Sequence, residues 1–310
     1  MRKIALLLLC ALLLTGCAAP LAQDAREAYT FADDTGTQLQ VPYKPGTVAV
    51  LTSSLADLWI TSGGQVDITV YESVERGITS DTVVLVDDGA GKTVDMERLI
   101  AAKPDLVLYS ADLSGQLSCA EALHDAGIPA AGFHVETFQD YLRVLKIFTD
   151  ILQAPERYET YGTQLQEKVD SLLAAAASQP RQPSILFVRA GSSAKYTKAK
   201  TADNHFACVM LQELGTRNIA DAAPVLLDGL SMEQILVADP DWILFTTMGD
   251  EAAGSTYIES LVEDPVWQSL KAVRNGHVCQ LPKALFQYKP NARWDAAYTY
   301  LINLLYGDIL

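Results

Sequence analysis

One segment of this chain occurs twice, and it constrains the fold more than any other feature. The two copies are residues 96–110 and 232–246, and their Met-Glu, Ala, Pro-Asp and Leu positions are identical. Each copy predicts a short helix, a Pro-Asp turn and a buried strand that ends in hydroxyl residues. Because the unit appears once in each half, we expect two similar lobes. A cleft between two lobes is a common place for a ligand.

Strands and helices alternate around both copies, which is typical of a parallel α/β layer. Apolar runs such as Leu106–Leu108 fit strands that are covered on both faces. Residues 156–179 contain no proline and carry apolar side chains at helical spacing. The prediction is therefore an α/β fold of two Rossmann-like lobes, joined by a single long backbone helix of about 36 Å, with the ligand cleft between the lobes.

The N-terminus has the features of a secretory signal. Arg2 and Lys3 precede a short apolar run, which ends near Gly16 and Cys17 and is too short to span a membrane as a mature helix. Leu14-Thr15-Gly16-Cys17 resembles the lipobox of bacterial lipoproteins, which implies that Cys17 is lipidated. An ordinary signal peptide with an incidental cysteine is the alternative.

These observations divide the chain into five predicted regions. They are a lipoprotein signal peptide, a lipidated tether, an N-terminal lobe, a bridging helix and a C-terminal lobe, at residues 1–16, 17–28, 29–154, 155–180 and 181–310.

The charge of the chain excludes one class of partner. A formal net charge of −15 repels nucleic acid and anionic lipid headgroups, so we expect no nucleic-acid partner and attachment to the membrane only through the lipid anchor. An acidic surface that merely keeps an exported protein in solution explains the same number.

Cysteine and histidine spacing predicts no metal site. Cys119, Cys208 and Cys279 fit no zinc pattern, and no histidines lie at close helical spacing. Whether Cys208 and Cys279 form a disulfide stays open at this level, because a sequence does not show the required geometry.

A late segment adds the last element of a family resemblance. Trp267 to Val278 reads W-x-x-L-x-A-V-x-x-G-x-V. With the lipobox, the two repeat copies and the bridging helix, it resembles the helical-backbone class of ABC-importer substrate-binding proteins, which deliver ferric siderophores, haem or cobalamin. The resemblance implies a small-molecule chelate as ligand and an ABC permease dimer with its ATPase subunits as partner. It also implies a location at the outer face of the cytoplasmic membrane or in the periplasm.

Two glutamates have matching positions in the repeat copies. The resemblance implies that Glu97 and Glu233 form salt bridges with arginines of the permease. Their own context offers another explanation. Asp95 and Ser231 are predicted N-caps, which places both glutamates in a first helical turn, where a carboxylate suits the helix dipole. The two explanations are compatible.

Candidate ligand-binding residues lie where predicted strands end, because open α/β sheets bind ligands at the carboxyl ends of their strands. Hydroxyls and aromatic rings can hold a bulky chelate, and arginines pair with its anionic oxygens. The candidates are Ser53, Ser54, Tyr71, Tyr109, Arg189, Tyr196, Thr247, Tyr288 and Arg293.

Three lysines beside Tyr196 favour an anionic ligand, although a solvated loop explains them equally well. They are Lys195, Lys198 and Lys200. The resemblance favours an iron complex, either a ferric siderophore or haem. Cobalamin, and a sensory or other non-transport role, remain as alternatives.

An enzyme is the rival class. No Gly-x-Ser-x-Gly elbow, phosphate loop or His-Glu-x-x-His motif is present in the sequence. We therefore expect a binding protein with no catalytic residues, no metal site and no cofactor of its own.

Overall fold

The computed structural model describes residues 27–87, 89, 93–307 and 309. The predicted signal peptide, Cys17 and the tether up to residue 26 lie outside the described residues. Within the described part of the chain, no helix is long and apolar enough to cross a membrane. The described residues form two α/β lobes, which confirms the predicted fold class.

The N-terminal lobe contains a small hairpin and a five-stranded parallel sheet. The antiparallel hairpin consists of β1 (Ala28–Ala32) and β2 (Gln38–Pro42). The sheet strands are β3 (Val48–Val50), β4 (Ile68–Thr69), β5 (Val84–Leu85), β6 (Leu106–Ser110) and β7 (Ala130–Phe133). They lie in the order β5-β4-β3-β6-β7. The helices of this lobe are α1 (Ser53–Thr61), α2 (Tyr71–Glu75), α3 (Met96–Ala101), α4 (Ser114–Asp125) and α5 (Phe138–Leu152).

The connection between the lobes is helical but not uniform. It consists of α6 (Pro155–Tyr158), a π-helical turn over Glu159–Thr163, and α7 (Gln164–Ala177). The connection is one continuous helical segment, as predicted, but the sequence analysis did not predict the π turn within it. The Tyr141 hydroxyl on α5 donates a hydrogen bond of 2.9 Å to the carbonyl oxygen of Tyr161, which lies within the turn. A π turn leaves backbone groups without their usual helical partners, and this contact satisfies one of them.

The C-terminal lobe has a four-stranded parallel sheet with one short antiparallel strand beside it. Its strands are β8 (Ser184–Ala190), β9 (Lys198–Ala199), β10 (Arg217–Asn218), β11 (Trp242–Thr247) and β12 (Val278–Gln280). The parallel order is β10-β8-β11-β12, and β9 pairs antiparallel with β8. The helices are α8 (Phe206–Glu213), α9 (Ile219–Ala222), α10 (Met232–Ala238), α11 (Glu251–Glu263), α12 (Pro265–Gln268), α13 (Lys271–Arg274), α14 (Lys283–Phe286) and α15 (Trp294–Tyr306).

The sequence alone predicts a single helix over residues 266–273, and the structure shows that this prediction is wrong. Two short helices, α12 and α13, occupy this stretch, because Leu270 between them adopts an extended backbone conformation. Its side chain is buried in the core of the lobe.

The two repeat copies fold into the same helix–turn–strand unit, α3–β6 and α10–β11. In both, the residue before the proline has a positive φ, at 50° for Lys103 and 37° for Asp239. Right-handed helical backbone is disfavoured immediately before a proline, so the helix ends there in each copy.

The aspartate after each proline fixes the new strand to its neighbour. Asp105 Oδ2 accepts hydrogen bonds from the backbone N–H groups of Gly46 and Thr47, at 2.8 and 2.9 Å. Asp241 Oδ2 accepts from the backbone N–H and the hydroxyl of Ser184, at 2.8 and 2.9 Å. The repeated Pro-Asp therefore sets the register of the central strand pair in both lobes.

One hydrophobic core extends from one lobe into the other. Trp294 at the start of α15 is fully buried. Its ring centroid lies 5.7 Å from that of Phe138 in the N-terminal lobe and 6.0 Å from that of Phe206 in the C-terminal lobe. Aromatic contacts of this kind contribute beyond their buried area, so the lobes are tied by packing as well as by the bridging helix.

Candidate functional site

A cavity of about 310 Å³ lies between the lobes, at the carboxyl ends of the parallel strands. This is the edge at which open α/β sheets bind ligands. The polar residues that line it from the N-terminal lobe are Thr52, Ser54, Glu72, Ser110, Asp112 and Glu136. Those from the C-terminal lobe are Arg189, Gln287, Tyr288, Lys289 and Asn291.

The two walls of this cleft carry opposite charge. Its three acidic lining residues, Glu72, Asp112 and Glu136, all belong to the N-terminal lobe. Its two cationic lining residues, Arg189 and Lys289, both belong to the C-terminal lobe. In an acidic chain, this concentrates positive charge on one side of the cleft.

Three of the predicted ligand residues line the cavity, namely Ser54, Arg189 and Tyr288. A fourth, Ser53, is buried beside it and accepts a hydrogen bond of 2.6 Å from the Arg76 guanidinium. Ser53 also donates to Glu72. The Arg76 guanidinium lies 3.8 Å from the centroid of the Tyr288 ring, a cation–π contact that crosses the cleft. Contact with a ligand stays a prediction for these residues.

The other five candidates do not line this cavity. Tyr71 is 44% exposed and faces a neighbouring cavity of about 340 Å³. Tyr196 is 51% exposed at the end of a short 3-10 helix over Ala194–Tyr196. Arg293 donates a hydrogen bond of 3.0 Å to the carbonyl oxygen of Ala284. Tyr109 and Thr247 are buried within their own lobes.

Arg189, Lys198 and Lys200 form a basic cluster, in which Arg189 lines the cleft. Arg189 and Lys198 are directly opposite on β8 and β9. Burial lowers the pKa of Arg189, and burial together with the charge of Arg189 lowers the pKa of Lys200. Like charges directly opposite in an antiparallel pair destabilise it, so these cations favour an anion between them. Within the described residues, no ion pair involves any of the three.

His205 lies next to this cluster in a neutral state. Burial, followed by the charges of Lys289, Arg189 and Lys200, lowers its pKa well below the ordinary value. Its Nδ1 accepts a hydrogen bond of 3.3 Å from the backbone N–H of Ala207 at the start of α8. The ring therefore caps a helix and adds no charge to the cleft.

The loop before α15 brings residues of the C-terminal lobe onto the N-terminal lobe. Asn291 donates from its amide to the carbonyl oxygen of Ser54 at 2.9 Å and to Asp57 Oδ2 at 2.8 Å. Its φ of 49° is a conformation that asparagine tolerates better than most residues. Lys289 forms an ion pair of 2.6 Å with Glu136. Sequence reasoning selected Tyr288 in this loop but missed Lys289, Asn291 and Arg76, because nothing local shows that they reach across the cleft.

Glu97 and Glu233 are both exposed, in the first turns of α3 and α10. Asp95 caps α3 by accepting a hydrogen bond of 3.0 Å from the Arg98 N–H, as predicted. Ser231 stands at the N-cap of α10 but its side chain makes no capping bond, so that prediction is wrong. Among the described residues, no ion pair involves either glutamate.

The three cysteines of the described region, Cys119, Cys208 and Cys279, are free thiols, so Cys208 and Cys279 do not pair. Burial raises the pKa of Cys119 and of Cys208. Within the same region, no group of three or more His, Cys, Asp or Glu residues is arranged to hold a metal ion.

Comparison with known proteins agrees with this architecture. Residues 48–285 match the family model described as "Periplasmic binding protein". The chain belongs to the periplasmic binding protein family.

Two of the curated relatives match this chain over about half of their own length. The vitamin B12-binding protein of Pectobacterium carotovorum is 24% identical over 160 residues, which cover 52% of this chain and 56% of the relative. The high-affinity haem uptake system protein IsdE of Staphylococcus aureus is 27% identical over 134 residues, which cover 43% of this chain and 45% of the relative.

Solved structures of similar fold extend over most of the chain. A periplasmic solute-binding protein from Veillonella parvula has a TM-score of 0.70 at 20% identity and covers 91% of this chain and 87% of its own. SirA of Staphylococcus aureus, solved with staphyloferrin B, has a TM-score of 0.64 at 17% identity and covers 90% of this chain and 97% of its own. At these identities the likeness shows the fold alone.

Proposed function

We propose that this protein is the substrate-binding component of an ABC importer, which captures an iron complex between its lobes and delivers it to the membrane permease. The observation that carries the proposal is the cleft itself. Ser54 of one lobe and Arg189 and Tyr288 of the other line one cavity at the carboxyl ends of both sheets. A hydroxyl, a guanidinium and an aromatic ring that converge in this way suit a chelate with anionic oxygens and a bulky organic shell.

Charge supports an anionic chelate. Arg189 lines the cleft with Lys198 and Lys200 close to it, and burial makes Arg189 a stronger partner for an anion than an exposed arginine is. A ferric siderophore has carboxylate or catecholate oxygens that can pair with these cations. Haem can pair with them through its propionates. SirA, which shares the fold, was solved with staphyloferrin B, and IsdE belongs to a haem uptake system.

Cobalamin is the second candidate cargo. The vitamin B12-binding protein of Pectobacterium carotovorum favours it, because it matches half of this chain. The basic cluster is the observation against it, since the single phosphodiester of cobalamin offers fewer anionic oxygens to these cations than a carboxylate or catecholate siderophore does.

Delivery requires a docking surface, and Glu97 and Glu233 provide matching carboxylates on the two lobes. Both are exposed at the same point of the repeat unit. Similar positions in both lobes suit a pseudo-symmetric permease dimer, with arginines as the complementary charge. Anchoring through acylated Cys17 would keep the protein at the outer face of the cytoplasmic membrane.

A thermal-shift panel tests the proposal. The purified protein would be heated with ferric citrate, a ferric tris-catecholate, a neutral ferric trihydroxamate, haem, cobalamin and free metal ions. A ligand at 100 times its dissociation constant stabilises the folded state by about 2.7 kcal/mol, which raises the melting temperature by several degrees. We expect a shift with an anionic iron complex. A shift with cobalamin alone, or with free metal ions alone, would contradict the iron-complex proposal.

Two arginine variants locate the site. Arg189→Ala should abolish the shift, because Arg189 lines the cleft. Arg217→Ala is the matched control, since this exposed arginine lines a separate groove beside α10. A shift that Arg217→Ala abolishes and Arg189→Ala preserves would place the ligand outside the cleft.

A further inference from the structure

Lys289 is the cation of the cleft that already has a carboxylate in contact. Its Nζ lies 2.6 Å from Glu136 Oε1 of the opposite lobe, and both side chains are largely buried. Arg189 on the same wall has no such partner among the described residues. The two cations that line the cavity therefore differ, because only one of them is neutralised by the protein itself.

Lys289 is held in place without Glu136. Its Nζ lies 4.7 Å from the centroid of the Phe206 ring, a cation–π contact within its own lobe. Burial lowers the pKa of Lys289, and Glu136, the largest opposing influence, raises it. The lysine would therefore keep its position but lose its main source of charge stabilisation if Glu136 moved away.

Glu136 is also fixed to its own lobe. Its backbone N–H donates to Asp140 Oδ2 at 3.2 Å, and Asp140 belongs to the capping box at the start of α5. A carboxylate next to a helix N-terminus is stabilised by the helix dipole. Glu136 therefore keeps a favourable environment when it leaves Lys289, whereas Lys289 then needs another anion, so the contact between them can be exchanged for one with a ligand.

We infer that Glu136 is a specificity-determining residue, which occupies on Lys289 the position that an anionic group of the ligand takes when it binds. This inference rests on the proposed function and names the charge of its cargo. A ligand gains access to Lys289 only if its own negative charge replaces that of Glu136, because a buried ammonium left without a counter-ion is costly. Neutral chelates cannot make this exchange and leave Glu136 on Lys289, so the charge of Glu136 weakens the binding of anionic complexes and not that of neutral ones.

Binding measurements on Glu136→Gln test the inference. Dissociation constants for ferric citrate, a ferric tris-catecholate and a neutral ferric trihydroxamate would be measured by tryptophan fluorescence in wild type and variant. The variant keeps the shape of the side chain and removes the competing charge. We expect about tenfold tighter binding of an anionic complex and no change for the neutral one. Unchanged or weaker binding of every anionic complex that wild type binds would overturn the inference and leave the proposed function intact.

Two further variants separate this effect from simpler ones. Lys289→Met should weaken anionic complexes and leave the neutral one unchanged. Glu121→Gln is the matched control, because it removes the same charge from an exposed site on α4 outside the cleft. If Glu121→Gln and Glu136→Gln tighten the binding of anionic complexes equally, the net charge of the protein explains the change in affinity. That result would overturn the inference. If wild type binds none of the three iron complexes, it is the proposed function that fails.

A ligand-free measurement tests the contact itself. The rate at which Lys289 is acetylated by acetic anhydride, followed by mass spectrometry, depends on the fraction of neutral amine. Loss of Glu136 lowers the pKa of Lys289 further and should raise that rate severalfold in Glu136→Gln. Equal rates in wild type and variant would show that Glu136 does not act on Lys289, which would overturn the inference.

Discussion

The two copies of the repeat build the same scaffold but lead to different chemistry. Residues 96–110 and 232–246 share the left-handed residue before proline and the aspartate that binds the neighbouring strand. They differ in their capping, in the surroundings of that aspartate, and in the cleft wall that follows. The N-terminal wall is acidic and the C-terminal wall is basic. Short-range chemistry is thus conserved between the copies, while the loops beyond the strands determine what the cleft recognises.

The largest effect that we expect from changing both repeat copies is on transport. Reversing Glu97 and Glu233 together to lysine should abolish uptake of an iron complex by cells, because both copies would present the wrong charge to the permease. Each single reversal should leave partial uptake. Affinity of the purified variant for the complex should not change, since both residues are exposed outside the cleft.

Accumulation of radioactive iron supplies the measurement. Glu121→Lys serves as the control for an added positive charge on an exposed helix. Normal uptake by the double variant would contradict the proposed docking role of Glu97 and Glu233.

The two turn aspartates should differ in their contribution to stability. Asp241→Ala loses the bonds to Ser184 and the ion pairs to Lys271 and Arg181 at 3.3 and 3.5 Å. Asp105→Ala loses two backbone N–H bonds. Hydrogen bonds to a charged group contribute about 1.5–3 kcal/mol, so we expect losses of about 3 and about 2 kcal/mol in the free energy of unfolding. Urea unfolding measures both, and a larger loss for Asp105→Ala would reverse the comparison.

The same aspartate predicts a pH dependence. Burial raises the pKa of Asp241, but the bonds from Ser184 and the charge of Lys271 outweigh it and lower the value to about 2. In the unfolded chain an aspartate has a pKa of about 3.9. Because the folded value is the lower one, its contribution is complete above about pH 4 and is lost as the pH falls toward 2. The difference in melting temperature between wild type and Asp241→Ala should be constant from pH 7 to 5 and shrink below pH 4. A difference that grows below pH 4 would have the wrong sign.

The helix caps give the smallest expected difference. Asp95→Ala should cost about 1 kcal/mol, because it removes a capping bond, whereas Ser231→Ala should cost only a few tenths. Chemical denaturation of the two variants measures this contrast. Equal costs would mean that Ser231 caps α10 in solution.

Sequence reasoning succeeded where the chemistry is local. Proline blocks the residue before it from helical backbone, so the helix–turn–strand unit could be predicted from either copy. The bonds from the following aspartate to the neighbouring strand could not, because they join residues 57 or 59 positions apart. The π turn in the bridging helix could not be predicted in this way. It depends on Tyr141, whose hydroxyl reaches the carbonyl of Tyr161 across 20 positions of the chain.

The cleft shows the same limit. Strand β6 continues one residue beyond Tyr109, and successive side chains on a strand point to opposite faces, so Ser110 lines the cavity and Tyr109 is buried. Arg76, Lys289 and Asn291 were missed because their contacts join residues of different lobes. No local sequence pattern predicts a contact of this kind.

Hydrogen exchange with and without bound ligand tests the central claim most directly. The protein would be labelled alone and with each complex of the panel that raises its melting temperature. If the cleft holds the ligand, protection should increase together at residues 52–54 of the N-terminal lobe and at residues 287–291 of the C-terminal lobe. Protection confined to one lobe, or to the groove beside α10, would contradict capture between the lobes.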